Sequence, residues 1–271
     1  MEIVRIAEQL ESRGIDVIHL EVGEPDFPTS ERVVDSACAA LKSGKTRYTD
    51  ARGIEPLRKA LSDWYHNQGL HVSADRIQIT VGASGGLLLA AAATTNPGEA
   101  VLMADPAYPC NPRFVEAVGG HVHWLQTTIE TCFQPTSEQL RSEASANDRT
   151  LMLAHPANPT GQAVPQKELR NMIDWCLETN RHLIVDEIYQ NLSFDESLQS
   201  SLSISDQHFV VGSFSKYFNM TGWRLGWMVI PEYALEATQR LAQHLFICAP
   251  SFAQEAALTC FDPDSLARAE A

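Results

Sequence analysis

The chain has 271 residues, 44% of them hydrophobic and 20% charged, which is ordinary for a globular fold with one large domain or two smaller ones. Thirty-four acidic residues against twenty basic ones give a formal charge of −14, which argues against nucleic acid or an anionic membrane as main partner and leaves room for a local basic pocket. The six cysteines (38, 110, 132, 176, 248, 260) form no C-x-x-C pair, as suits reduced thiols in a cytoplasmic protein, and the longest apolar run, Leu87 to Ala93, is too short to cross a bilayer.

Met1 is followed at once by EIVRIAEQLESRG, whose Ile3, Ile6, Ala7 and Leu10 share one helical face, a pattern from which no cleavable leader is expected. RIQITV (76–81) reads as a strand that runs through GASGG (82–86) into the apolar helix LLLAAAATT (87–95). After the NPGE turn come the strand AVLMAD (100–105) and PAYP, then a helical PRFVEAV (112–118) and GGHVHWLQ (119–126). LMLAH (151–155) meets PANPTG and the helix VPQKELRNMIDWCLETN (164–180); HLIV (182–185) meets DEIYQ, and FVVGS (209–213) meets FSK. Strands alternating with helices predict an α/β domain with a mainly parallel sheet flanked by helices. At the far end SFAQEAALTCFDPDSLARAEA (251–271) carries a helix-like stretch with no closing element, so the chain is expected to be a piece of something longer.

In such sheets ligands gather at the carboxyl ends of strands. The residues just past those ends are Gly82, Ala83, Ser84, Tyr108, Asn158, Asp186 and the run Ser213 to Lys216. Lys216 shares a largely apolar segment with a second cation, Arg224, and aromatic walls at Phe214, Phe218 and Trp223. An ordinary lysine is protonated and inert at neutral pH; a nearby cation and apolar walls lower its pKa and make it a nucleophile. Arg224 also offers a planar fork to a phosphate, and Ser84, Ser213 and the amides at Gly82 and Ala83 complete an anion cradle. A phosphorylated carbonyl compound would engage all of these groups, with Asp186 holding a ring nitrogen protonated. The plain alternative is a buried Asp–Arg or Asp–Lys pair among incidental loop glycines.

Competing patterns are weaker. GASGG fits a G-x-S-x-G nucleophile elbow, with Ser84 as nucleophile, Asp186 as acid and His208 or His244 as base, but it leaves Lys216, Arg224 and Asn158 without a task. SFSK fits S-x-x-K without its companion motifs, and SGKT (43–46) has Ala39 where a phosphate loop needs glycine. His121 and His123 alternate along a strand, but no third ligand accompanies them, so no metal is expected.

Five segments together resemble the pyridoxal-phosphate-dependent aminotransferases of fold type I, class I/II: EVGEPDFPT (21–29), YTDARGIEPLRKAL (48–61), PANPTGQ (156–162), VDEIYQNLSF (185–194) and SFSKYFNMTGWRLGW (213–227). The resemblance implies pyridoxal 5'-phosphate held as a Schiff base on Lys216, which then shuttles protons. It implies that Asp186 pairs with the ring nitrogen, that Asn158 and Tyr189 hold the phenolic oxygen and that Tyr108 stacks on the ring. It assigns the phosphate to Ser84, Ser213, Arg224 and the amides of Gly82 and Ala83. It puts Gly23 against the substrate, and Tyr48 across a homodimer interface on the neighbour's phosphate. The implied activity is transfer of an amino group between an amino acid and a 2-oxo acid, with β-elimination, decarboxylation or a cofactor-binding fragment without activity as alternatives. Relatives carry over a hundred further residues, including the arginine that grips the substrate carboxylate, with no counterpart here. The implied division is therefore 1–25 in a small domain, 26–245 as the large cofactor-binding domain, and 246–271 as the start of an incomplete C-terminal part of the small domain.

Overall fold

The computed structural model describes residues 2–20, 22–193 and 198–270; Glu21 and Phe194, the end residues of two of the quoted motifs, lie outside the described residues. Helices α1 (Glu2–Glu11), α2 (Glu31–Lys42) and α3 (Glu55–Asn67) lead to strand β1 (Ile77–Thr80) and helix α4 (Gly82–Thr94). Next come β2 (Ala100–Asp105), α5 (Asn111–Ala117), β3 (His121–Gln126), α6 (Ser137–Glu143), β4 (Asp148–Ala154), α7 (Gln166–Glu178), β5 (His182–Asp186) and β6 (Phe209–Ser213). Strand β7 (Gly226–Val229) and helices α8 (Leu235–Phe246), α9 (Ser251–Ala257) and α10 (Pro263–Glu270) complete the chain order. The strands form one seven-stranded sheet in the order β1-β7-β6-β5-β4-β2-β3. Strands β3, β2, β4, β5 and β6 are mutually parallel, while β7 runs antiparallel to both of its neighbours, β6 and β1.

The expected α/β architecture is therefore present, with one addition: β7, inserted between β1 and β6. Two consecutive antiparallel pairings restore the direction of β1, so β1 ends on the same sheet edge as β2, β4, β5 and β6, and β7 begins there. In register, Gly226 faces both Thr80 of β1 and Ser213 of β6.

Apart from the largely exposed edge strand β3, the sheet is buried on both faces, which is why those strands read as apolar runs without clean alternation. Leu102, Leu183, Val185 and Val210 belong to a core shared with Leu57, Leu61, Trp64 and Leu169 of α3 and α7. Val101, Met103, Ile184, Phe209 and Val211 face the other way, onto Leu87, Leu89 and Ala90 of α4. Successive strand residues point to opposite faces, so Asp186 and Ser213 continue the face that packs on α4. Gly212 sits under Trp227, where a Cβ would come 2.3 Å from the indole, and that indole donates to Tyr65 Oη at 2.9 Å.

The apolar side of α1 is only partly covered: Ala7 is buried, but Ile3 and Ile6 are exposed. None of the helices among the described residues is long and apolar enough to cross a membrane.

Candidate functional site

The shared edge of the sheet brings the predicted residues together strand by strand. Across β1, β7, β6, β5, β4 and β2 the chain presents Gly82 to Ser84, then Arg224, Ser213 with Lys216, Asp186 with Tyr189, Asn158 and Tyr108. GASGG is the first turn of α4 rather than a separate loop: the helix starts at Gly82, whose φ of +67° suits glycine, and Thr80 Oγ1 donates to the Gly82 carbonyl at 2.8 Å. The amides of Gly82, Ala83 and Ser84 have no partner within the helix, so they carry partial positive charge at its start.

Arg224 reaches this turn because it lies two residues before the start of β7. It adopts a left-handed backbone, φ +53°, and Nη1 donates to the Thr221 carbonyl at 2.9 Å. Its Nη2 lies 2.7 Å from where a Cβ on residue 82 would be, so a glycine is needed for the guanidinium to lie over the helix start. Close packing holds the two segments in place: a Cβ on Gly226 would come 2.7 Å from the Gly82 carbonyl carbon. Ser213 is buried and its Oγ accepts from Ser215 N–H at 3.1 Å, while Ser84 stands exposed on the helix turn.

Lys216 is half-buried, and Nζ donates to the Gly23 carbonyl at 2.6 Å. Burial lowers its pKa most, the Glu24 carboxylate opposes that shift, and the Arg224 charge adds to it. Gly23 thus meets the amine through its backbone. Glu24 is a functional neighbour that the sequence reading missed, although it sits inside a quoted motif.

Asp186 is 6% exposed and accepts a hydrogen bond from Ile188 N–H at 3.2 Å. Burial pushes its carboxyl up to about 7, the Ile188 bond opposes this, and the adjacent Glu187 adds to it. No lysine or arginine pairs with Asp186 among the described residues. Glu187, equally buried, accepts from both the amide and the hydroxyl of Ser201, at 2.7 and 2.6 Å. Asn158 Nδ2 donates to Tyr189 Oη at 3.5 Å, a long bond between two groups expected to share one ligand oxygen. A hydrogen bond with Cys110, then partial burial, then the charges of Cys110, Tyr189 and Asp186 push the Tyr108 hydroxyl up to about 12, so it stays protonated. Tyr48 stands apart, with 81% of its surface exposed.

The rival patterns do not assemble. His208 is buried with Nε2 at 2.8 Å from Ser201 Oγ, which commits it to that hydroxyl rather than to Ser84, and His244 is exposed. His123 Nδ1 lies 3.0 Å from both carboxylate oxygens of Asp148, and no cluster of three metal-ligating side chains occurs among the described residues.

Known proteins resemble this chain in sequence and in fold. The family model for aminotransferases of class I and II matches residues 15–270. A valine–pyruvate aminotransferase of Mycobacterium tuberculosis is 38% identical over 97% of this chain and 68% of its own length. A (5-formylfuran-3-yl)methyl phosphate transaminase of Methanocaldococcus jannaschii is 34% identical over 98% of this chain and 70% of its own. The crystal structure of an aminotransferase from Mycobacterium tuberculosis superposes with a TM-score of 0.94 at 37% identity, over 100% of this chain and 70% of that one.

Proposed function

The chain belongs to the class I and II aminotransferase family, whose members use pyridoxal 5'-phosphate, and we propose that it transfers an amino group between an amino acid and a 2-oxo acid with Lys216 as the cofactor's covalent anchor. One observation carries the reading: a half-buried amine, a guanidinium over a helix start and a buried carboxylate with no cationic partner among the described residues share a single sheet edge.

The residues present fit the cofactor chemically. The space over Gly82, which a Cβ would fill, together with the Arg224 fork and the hydroxyls of Ser84 and Ser213, suits a phosphate, helped by the amides of Gly82 and Ala83. Asp186, buried without a cationic partner among the described residues, suits a protonated ring nitrogen. Asn158 and Tyr189 would hold the phenolic oxygen and Tyr108 would cover one face of the ring. When bound, the cofactor supplies an electron sink that makes the α-proton of an amino acid acidic.

The chain's own groups do the rest. Lys216 Nζ, made less basic chiefly by burial, accepts the α-proton as a free amine and gives it back as an ammonium. Asp186 holds positive charge at the ring nitrogen, because an ionised carboxylate in a buried site strongly favours a cationic partner. Gly23 offers its backbone on the substrate side. In the same reading 26–245 form the cofactor domain, 1–25 and 246–271 belong to a smaller one, and two cytoplasmic copies pair so that Tyr48 of each reaches the other's phosphate site.

The test is borohydride reduction of the purified chain after incubation with pyridoxal 5'-phosphate, followed by peptide mapping. A single pyridoxyl group on Lys216 is expected; label spread over other lysines, or none, defeats the assignment. Turnover of an amino acid that depends on added 2-oxo acid then separates transamination from elimination or decarboxylation.

A further inference from the structure

Thr29 bears no charge and no nucleophile that the mechanism uses. Its hydroxyl nevertheless ties one loop, distant in sequence, at two points: Oγ1 donates to the Asn219 carbonyl at 2.6 Å and accepts from Trp223 Nε1 at 2.9 Å. Those partners bracket the turn between the two cations. Asn219 and Arg224 both have φ of +53°, a left-handed conformation that asparagine tolerates and arginine resists. The Asn219 amide is itself tied back to the Lys216 carbonyl at 3.1 Å. A loop with two left-handed residues keeps one shape only where surrounding bonds over-determine it, and the Thr29 hydroxyl supplies two of those bonds. The segment that carries Thr29 also carries Gly23, whose carbonyl receives the Lys216 amine at 2.6 Å.

We propose that Thr29 is a positioning residue that sets the spacing between Lys216 and Arg224 and seats the Gly23 carbonyl on the lysine, so that one ligand is engaged at its carbonyl and its phosphate together. This inference rests on the function proposed above. Valine has the shape of threonine but can neither donate nor accept, so Thr29→Val frees both the Asn219 carbonyl and the Trp223 indole. Thr29→Ser keeps both bonds. Trp223→Phe removes the indole donor alone.

The experiment measures the affinities of wild type and each variant for pyridoxal 5'-phosphate and for pyridoxal, which lacks the phosphate. The ratio of the two reports whether both ends of the ligand are met at once. Thr29→Val is expected to cut the wild-type ratio by about tenfold, the equivalent of one or two ordinary hydrogen bonds. Thr29→Ser should stay within about twofold of wild type, and Trp223→Phe should fall between them. A purely structural role would scale both affinities together, so an unchanged ratio in folded Thr29→Val overturns the proposal. If that variant does not fold, an unchanged ratio in Trp223→Phe does so. A wild type that attaches no pyridoxal 5'-phosphate to Lys216 defeats the functional reading itself, a result distinct from either.

Discussion

Replacing Asp186 with asparagine should stabilise the ligand-free protein at neutral pH while weakening its hold on the cofactor. The carboxyl is 6% exposed, and burial raises it from an ordinary 3.8 to about 7. Each unit of that separation is worth about 1.4 kcal/mol, so about three units amount to roughly 4 kcal/mol. The sign follows from proton counting. Between pH ~4 and ~7 the unfolded chain has given up the proton that the folded chain retains, so this residue's contribution to stability falls as pH rises through that window. Above pH ~7 both states are ionised and the loss stays constant. Asparagine has no proton to lose, and its oxygen can still accept from Ile188 N–H; its unpartnered amide hydrogens cost about 1 kcal/mol. The net gain of about 3 kcal/mol corresponds to a Tm higher by ~8 °C at pH 7.5, vanishing between pH ~4 and ~5 and reversing to a deficit of under about 1 kcal/mol below that. Thermal melts of both proteins across that range check this, repeated with saturating pyridoxal 5'-phosphate, where the wild type should gain more than the variant. Equal melting temperatures at every pH, or a less stable variant at pH 7.5, would show the carboxylate already compensated, and the case for a cationic ring nitrogen would go with it.

Three further outcomes follow from the same geometry. Gly82→Ala combines a φ of +67° with a Cβ 2.7 Å from Arg224 Nη2; it should cost about 1–2 kcal/mol in thermal melts and lower affinity for pyridoxal 5'-phosphate by about tenfold in titrations, because the guanidinium must leave the helix start. Gly226→Ala drives a Cβ to 2.7 Å from the Gly82 carbonyl carbon and 2.9 Å from Ala83 N, and backbone cannot swing aside as a side chain can; a loss of more than about 2 kcal/mol in chemical denaturation is expected. His208, buried and lowered to about 4 chiefly by desolvation, contributes stability above its ordinary 6.5 that is lost as pH falls toward 4, about 3 kcal/mol in all. His208→Gln should flatten that acid limb in melts; because Asp186 slopes the opposite way over the same range, each effect is read from its own variant.

Much of the sheet edge is legible in advance, for a physical reason. AVLMAD and FVVGS coincide with β2 and β6 because uninterrupted apolar runs, buried on both faces, end where proline or a polar turn stops them. GASGG is harder, since glycines argue against a helix; tertiary packing overrides propensity there, with a Cβ on Gly86 coming 3.1 Å from Val211. Strand β7 has only four residues and no alternation to mark it, and nothing local reveals that it runs antiparallel. Yet that direction is what delivers Arg224 to the edge where Lys216 emerges. The least legible part is how two cations coexist there, because their partners come from far along the chain or from the backbone. Lys216 rests on the Gly23 carbonyl with the Glu24 charge nearby, and Arg224 on the Thr221 carbonyl. Carbonyl dipoles and one carboxylate thus offset the repulsion in the free protein, and a ligand that gives Arg224 a phosphate and Lys216 a carbonyl would relieve it at both ends.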